Sequence, residues 1–178
     1  MNLFEAIAKR YSHKEAFLPD PIPAADLAKI AKAGIDAPSG MNSQTVQVVI
    51  LPTRQDVEPL CEIGPTWGMQ TCPAALMVFT DNALSPTFQQ SLEKEDYSTA
   101  MGNMLLAATA LGYSTLWLDS PYWDEDRQKA ARELVGAPDS YHLWAVIPVG
   151  KPDGEGSRRP KQPAEQRISY LKVGRATL

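Results

Sequence analysis

Two uninterrupted apolar runs, Ala74–Phe79 and Leu143–Val149, and a β-branched run, Thr45-Val46-Gln47-Val48-Val49-Ile50-Leu51, constrain this chain more than any other feature. A strand that packs only one face alternates apolar and polar residues, whereas a short run that is apolar at nearly every position suits a strand covered on both faces. Tyr113–Leu118 supplies a fourth candidate strand, and helical patterns fall between these segments. Alternating helices and doubly buried strands predict a three-layer α/β/α sandwich, of α/β or α+β class.

The helices are marked by their ends. Leu3 and Ile7 lie on one face of a short helix running to Arg10, and Pro23 opens a second that stops near Gly34. Between them Pro19, Pro21 and Pro23 alternate, which forbids both helix and ladder pairing, so Tyr11–Ile22 reads as extended and irregular. A further helix begins near Asp124. Ser91–Gly112 begins polar and becomes almost wholly apolar from Ala100. Such a helix is covered on more than one side, either by its own core or by a second subunit. After Gly150, the stretch Lys-Pro-Asp-Gly-Glu-Gly-Ser-Arg-Arg-Pro-Lys-Gln-Pro is too rich in proline and glycine for regular structure and reads as a tail or arm. The 178 residues therefore read as one domain, 1–178, with an extended arm from about 151.

A net charge of -4 argues against nucleic acid as the main partner, although a local basic pocket remains free to hold one phosphate. The first ten residues do not resemble a leader, and no segment approaches the apolar length of a membrane span, so a cytoplasmic protein with no membrane partner is expected. Cys61 and Cys72 have neither CxxC spacing nor histidine neighbours; two reduced thiols and no metal site are expected. There is no GxSxG elbow, P-loop or GxGxxG turn, and His13 and His142 form no triad or metal pattern. No catalytic side chain is expected, as in a cofactor enzyme whose protein only orients the cofactor and tunes its electronics.

Four segments carry polar chemistry. In Arg10-Tyr11-Ser12-His13-Lys14 an extended backbone puts Arg10, Ser12 and Lys14 on one side, a row of donors roughly 13 Å long at about 3.3 Å per residue. The row reads either as a site for a phosphate and a second electron-rich group of one ligand or as a solvated basic turn. Ala37-Pro38-Ser39-Gly40-Met41-Asn42-Ser43-Gln44 offers many hydrogen bonds at little steric cost, or is a plain connection into a strand. Leu118-Asp119-Ser120-Pro121-Tyr122-Trp123 lies at a strand end, where layered folds often bind ligands. Ser157-Arg158-Arg159-Pro160 adds two guanidinium groups that either close on a phosphate or remain a basic tail.

Taken in order, these segments resemble the nitroreductase family of flavoproteins. Arg10–Lys14 is similar to its RRS/RHS-type opening, Ala37–Gln44 to its APSxxNxQ loop, Ala100–Leu118 to its NxxLAAxxLG helix and following strand, and Ser157–Pro160 to its late basic segment, over about Leu3 to Ile168. The resemblance implies an α+β sandwich around a mixed, largely antiparallel sheet and a homodimer with FMN at the interface. It implies that Arg10, Ser12 and Arg158, with Tyr11 and Arg159 beside them, bind the FMN phosphate, and that Lys14 lies near N1 and O2 of the flavin. It further implies that Pro38, Ser39, Gly40 and Asn42 come from the partner, that the backbone at Pro121, Tyr122 and Trp123 borders the ring, and that Gln70 sits where relatives sometimes place a polar contact. The implied activity is ping-pong hydride transfer from NAD(P)H, NADH or NADPH, through flavin N5 to a nitroaromatic, quinone or related small acceptor. A flavin-binding redox sensor, and a dehalogenating or flavin-destroying relative, are the alternatives. Two residues depart from the family pattern: Tyr11 stands at the usual second arginine, and Gly156 where some relatives carry lysine.

Overall fold

The computed structural model describes residues 1–64, 68–85, 92–119, 122 and 124–170. Four strands, β1 (Val46–Leu51), β2 (Ala74–Asp81), β3 (Ser114–Thr115) and β4 (Tyr141–Gly150), form one sheet in the order β1-β2-β4-β3. Every neighbouring pair of strands is antiparallel. A single parallel bridge, Ser12 with Thr115, extends the sheet beyond β3. The three long apolar runs are thus strands, and the Tyr113–Leu118 candidate contributes the two-residue β3 and a bridge from Leu118 to Val146.

Period-two alternation divides β2 between two cores. Ala74, Leu76 and Val78, with Ala145, Ile147 and Val149 of β4, pack against α2 (Ala24–Ile35) and α4 (Glu93–Ala110). Ala75, Met77 and Phe79, with Leu143 and Val146, pack against α3 (Arg54–Ile63) and α5 (Glu125–Val135). Leu143 and Val146 share a face despite their odd spacing because the ladder passes from Val78 opposite Ala145 to Phe79 opposite Leu143. Trp144 is the extra residue of that bulge, half-exposed, with its indole N–H donating to Thr80 Oγ1 at 2.7 Å. The layers are therefore helix, sheet, helix.

Helix ends follow local chemistry. In α1 (Leu3–Lys9) Asn2 and Glu5 cap each other's backbone N–H groups, and Asp124 accepts from the amide of Arg127 at the start of α5. α3 is signalled only by Thr53 and Asp56, which form a reciprocal capping box; Pro59 inside the helix hides the pattern from a reading of the residues. In α4, Ala100, Met101, Met104, Leu105 and Ala108 are buried in this chain's own core. Its crossing with α2 is close: a Cβ on Gly34 would lie 2.8 Å from Cγ of Met104. Gly102, Asn103, Leu106 and Ala107 on the same helix stay partly exposed. Among the described residues no helix is long and apolar enough to cross a membrane.

The segment after Gly150 is an arm tied to the body at its root. Leu18 N–H donates to Lys151 O and Asp153 N–H to Ala16 O, each at 2.9 Å, and Lys151 Nζ lies 3.0 Å from Asp20. Beyond this, among the described residues, it is irregular apart from a 3-10 turn at Ala164–Gln166.

One buried side chain joins α5 to the sheet. Gln128, 1 % exposed, donates to Leu143 O at 2.7 Å and to Tyr122 O, and accepts from Leu143 N–H at 2.8 Å. Gln128→Leu keeps the volume but strands three backbone groups, so a loss of about 2–4 kcal/mol is expected in urea unfolding.

Candidate functional site

α1 ends at Lys9 and the chain turns extended at Arg10, whose ψ is 132°. From there it runs beside β3, with His13 N–H donating to Thr115 O at 2.9 Å. His13 and Phe17 turn into the protein and are buried, while Ser12 and Lys14 turn out. His13 Nε2 lies 2.8 Å from Ala16 O. A carbonyl only accepts, so Nε2 carries the proton, and in the neutral ring Nδ1 accepts from Tyr11 OH at 3.3 Å. The Tyr11 oxygen in turn accepts from Ser114 Oγ at 3.3 Å.

The outward row forms one wall of a cavity of about 470 Å³, and the arm forms the other. Arg10, Tyr11, Ser12, Lys14 and Glu15 face Ser157, Arg158, Arg159 and Lys161, with Ile7 and Ala8 closing the side next to α1. Arg158 donates to Ala8 O at 3.0 Å and to Lys9 O, the free carbonyls at the end of α1. The amides of Lys14 and Glu15 hold the Glu15 carboxyl below its ordinary pKa. Among the described residues, Arg10, Arg159 and Lys161 make no ion pair with a carboxylate and Lys14 interacts with its neighbour Glu15, whereas Lys29, Lys32, Arg54, Lys129, Arg132 and Lys151 each pair with a carboxylate elsewhere. Four cations and one carboxylate, Glu15, thus meet at one concavity of a chain of net charge -4, and with Arg158 the excess positive charge suits a dianion such as a phosphate ester.

The Pro38–Gln44 loop lies elsewhere. Pro38, Ser39 and Gln44 line a separate cavity of about 180 Å³ together with Asp96 of α4. Met41, Asn42 and Gln44 hold φ of 54°, 57° and 53°, a left-handed conformation that costs about 1 kcal/mol for each non-glycine residue. Asp96, 3 % exposed, offsets that strain by accepting from Gly40 N–H at 2.7 Å, Thr45 Oγ1 at 3.0 Å and Ser43 Oγ at 3.1 Å. Gly40 is held so close to Leu92 that a Cβ would overlap that side chain. The result presents Met41 and Asn42 to solvent.

Sheet order sets the distance between the two regions. Ser12 bridges the β3 edge opposite Val149, while the loop enters β1, whose Val46 pairs with Thr80 and through it with His142. Four strand spacings across and seven residues along separate Ser12 from the start of β1 by roughly 19 Å and roughly 20 Å respectively.

Of the remaining candidates, Gln70 and Tyr122 do not line the large cavity. Gln70 is exposed on a turn. Tyr122 is buried, with its hydroxyl 3.2 Å from Met69 Sδ and its amide donating to Asp119 O at 3.2 Å. Pro121 and Trp123 lie outside the described residues. Cys61 and Cys72 are free thiols, and burial pushes Cys72 up to about 12. Reading the residues alone missed Asp96, because an acid in the first turn of a helix is ordinary, and Lys161, because the arm has no periodicity.

The Nitroreductase family model matches residues 7–65 and 67–151. The chain belongs to the nitroreductase family. A protein of Archaeoglobus fulgidus, provisionally named an NADH dehydrogenase/NAD(P)H nitroreductase, is 35 % identical over 132 residues, 73 % of this chain and 74 % of the relative. The iodotyrosine deiodinase of Thermotoga neapolitana is 24 % identical over 94 % of this chain and 97 % of its own length. The fold matches, with TM-score 0.76 and 22 % identity, the crystal structure of a provisionally named nitroreductase from Desulfovibrio desulfuricans in complex with FMN, over 97 % of this chain and 99 % of that one.

In this chain the loop depends on one carboxylate. Asp96→Ala leaves a backbone amide and two hydroxyls without their charged acceptor, and a loss of about 3 kcal/mol is expected in urea unfolding. Asp96→Asn, which keeps one acceptor oxygen, is expected to lose less.

Proposed function

We propose that this chain is an FMN-dependent NAD(P)H oxidoreductase and that two copies complete each site. The convergence of Arg10, Lys14, Arg159 and Lys161 on one cavity that holds a single carboxylate, Glu15, carries the reading. A flavin phosphate brings a charge of about -1.5 to -2 that these groups match, and the Ser12 hydroxyl adds a neutral donor. Family membership and the FMN complex of the Desulfovibrio desulfuricans structure support the same cofactor.

Bound FMN would supply the two-electron carrier between a reduced nicotinamide and an acceptor such as a nitroaromatic or quinone, in alternating half-reactions. The protein's own part is to bind and orient. Arg10 and Ser12 hold the phosphate. Lys14, further along the extended row, places a fixed cation where negative charge develops on reduction, and a preorganised charge needs no reorganisation at that moment. No acidic or basic side chain is required to move a proton in this scheme.

Pro38, Ser39, Gly40 and Asn42 stand at the opposite corner of the sheet from the cation cavity, too far to join it within one chain. They reach a cavity of this kind only on a second copy. Exposed apolar side chains fit such a contact: Leu3, Phe4 and Ile7 of α1 are 58 %, 80 % and 50 % exposed, and separately Met41 beside Asn42 is 70 % exposed.

The test is flavin titration followed by anaerobic reduction. FMN binding that Arg10→Ala weakens about tenfold or more, with bleaching by NADH or NADPH and recovery on adding a nitroaromatic or quinone, is the expected outcome. A bound flavin that neither nucleotide bleaches overturns the oxidoreductase reading in favour of a flavin-binding module. The deiodinase relative favours a second reading of the acceptor, a halogenated phenol, which release of iodide from iodotyrosine by the reduced protein would reveal.

A further inference from the structure

The two departures from the family pattern touch each other. Gly156 of the arm lies on the ring of Tyr11, so close that a Cβ there would overlap Cε2, Cζ and the hydroxyl. The constraint is space, not backbone conformation. Two residues on, the Arg158 guanidinium carbon sits 5.2 Å from the centroid of the same ring while its two Nη atoms donate to Ala8 O and Lys9 O. Tyr11 is itself held by His13 and Ser114 through its hydroxyl.

Among the described residues, no backbone hydrogen bond ties the arm to the body beyond Asp153. The contacts of Gly156 and Arg158 are therefore what seats Arg159 and Lys161 over the cavity. Arg158 has a second effect. The free carbonyls at the end of α1 are the negative pole of that helix, and Ala8 borders the cavity. Covering them with a guanidinium removes a field that would repel a phosphate.

We propose that Tyr11 is a positioning residue: its ring clamps Gly156 and Arg158, so that Arg158 masks the end of α1 and Arg159 and Lys161 become the arm's anion ligands, making the site selective for phosphorylated over unphosphorylated flavin. The proposal rests on the FMN reading above. It moves direct phosphate contact within the arm from Arg158 to its neighbours. It also makes Tyr11 and Gly156 one contact, a ring and the gap that receives it.

The experiment is a cycle of Tyr11→Ala, Gly156→Ala and the double variant, with Tyr11→Phe as the conservative change, each titrated with FMN and with riboflavin by fluorescence. Each single substitution is expected to weaken FMN about tenfold and riboflavin less than twofold. The double variant is expected to lose no more than the worse single one, because both act on one contact, and Tyr11→Phe, which keeps the ring, is expected to stay within about threefold of the unsubstituted protein. Parallel weakening of both flavins, losses that multiply in the double variant, or a Tyr11→Phe as impaired as Tyr11→Ala would each overturn the proposal. Thermal melting of the same proteins without flavin reads the clamp separately. Binding of neither flavin by the unsubstituted protein sinks the FMN reading and the selectivity with it, whereas additive melting losses sink the clamp alone.

Discussion

Everything in this fold hangs on the double burial of β2 and β4. Every residue of β2 from Ala74 to Phe79 is fully buried, so apolar cover is needed on both faces of the sheet, and the two helical layers are the consequence. With both faces filled, polar and ligand-facing groups have only the edges and ends of the sheet left. The extended Arg10–Lys14 row takes the β3 edge, the arm leaves from the end of β4, and the Pro38–Gln44 loop enters the β1 edge. A four-stranded sheet of this order therefore keeps the basic row and the arm apart from the Pro38–Gln44 loop.

At each edge an isolated polar arrangement does what packing cannot. On the β1 side a single buried carboxylate, Asp96, gathers three donors and holds three non-glycine residues in the left-handed region. On the β3 side the arm has no ladder to hold it, and one guanidinium against one aromatic ring and two helix-end carbonyls serves instead. Hydrogen bonds to charged groups are among the stronger single contacts available, which suits positions where few contacts exist. Among the described residues, carboxylates pair most other cations while the cavity holds only Glu15 against its five, so its charge comes from what is withheld as much as from what is present.

Much of this was legible along the chain. The three long strands, the proline-broken segment 11–22, helices α1, α2 and α4, and the outward row of Arg10, Ser12 and Lys14 follow from period and from the special geometry of proline, which act over a few residues. Helix α3 was not, because Pro59 breaks its pattern and its capping box spans only Thr53 to Asp56. The bulge at Trp144 was not either, since nothing in a continuous apolar run marks where the ladder skips a residue.

The sequence by itself determined that helices must cover a sheet on both sides, and which segments carry polar chemistry, because those properties reside in local spacing and residue type. Tertiary structure alone decided that Tyr11 and Gly156, 145 positions apart, meet. It decided equally that Asp96 reaches back over more than fifty residues to the loop, and that the basic row and the Pro38–Asn42 loop stand at opposite corners. Those contacts depend on strand order and on the path of an irregular arm, and neither leaves a periodic trace: strand order is settled by how two cores fill, and the arm by the few places where a side chain can hold it.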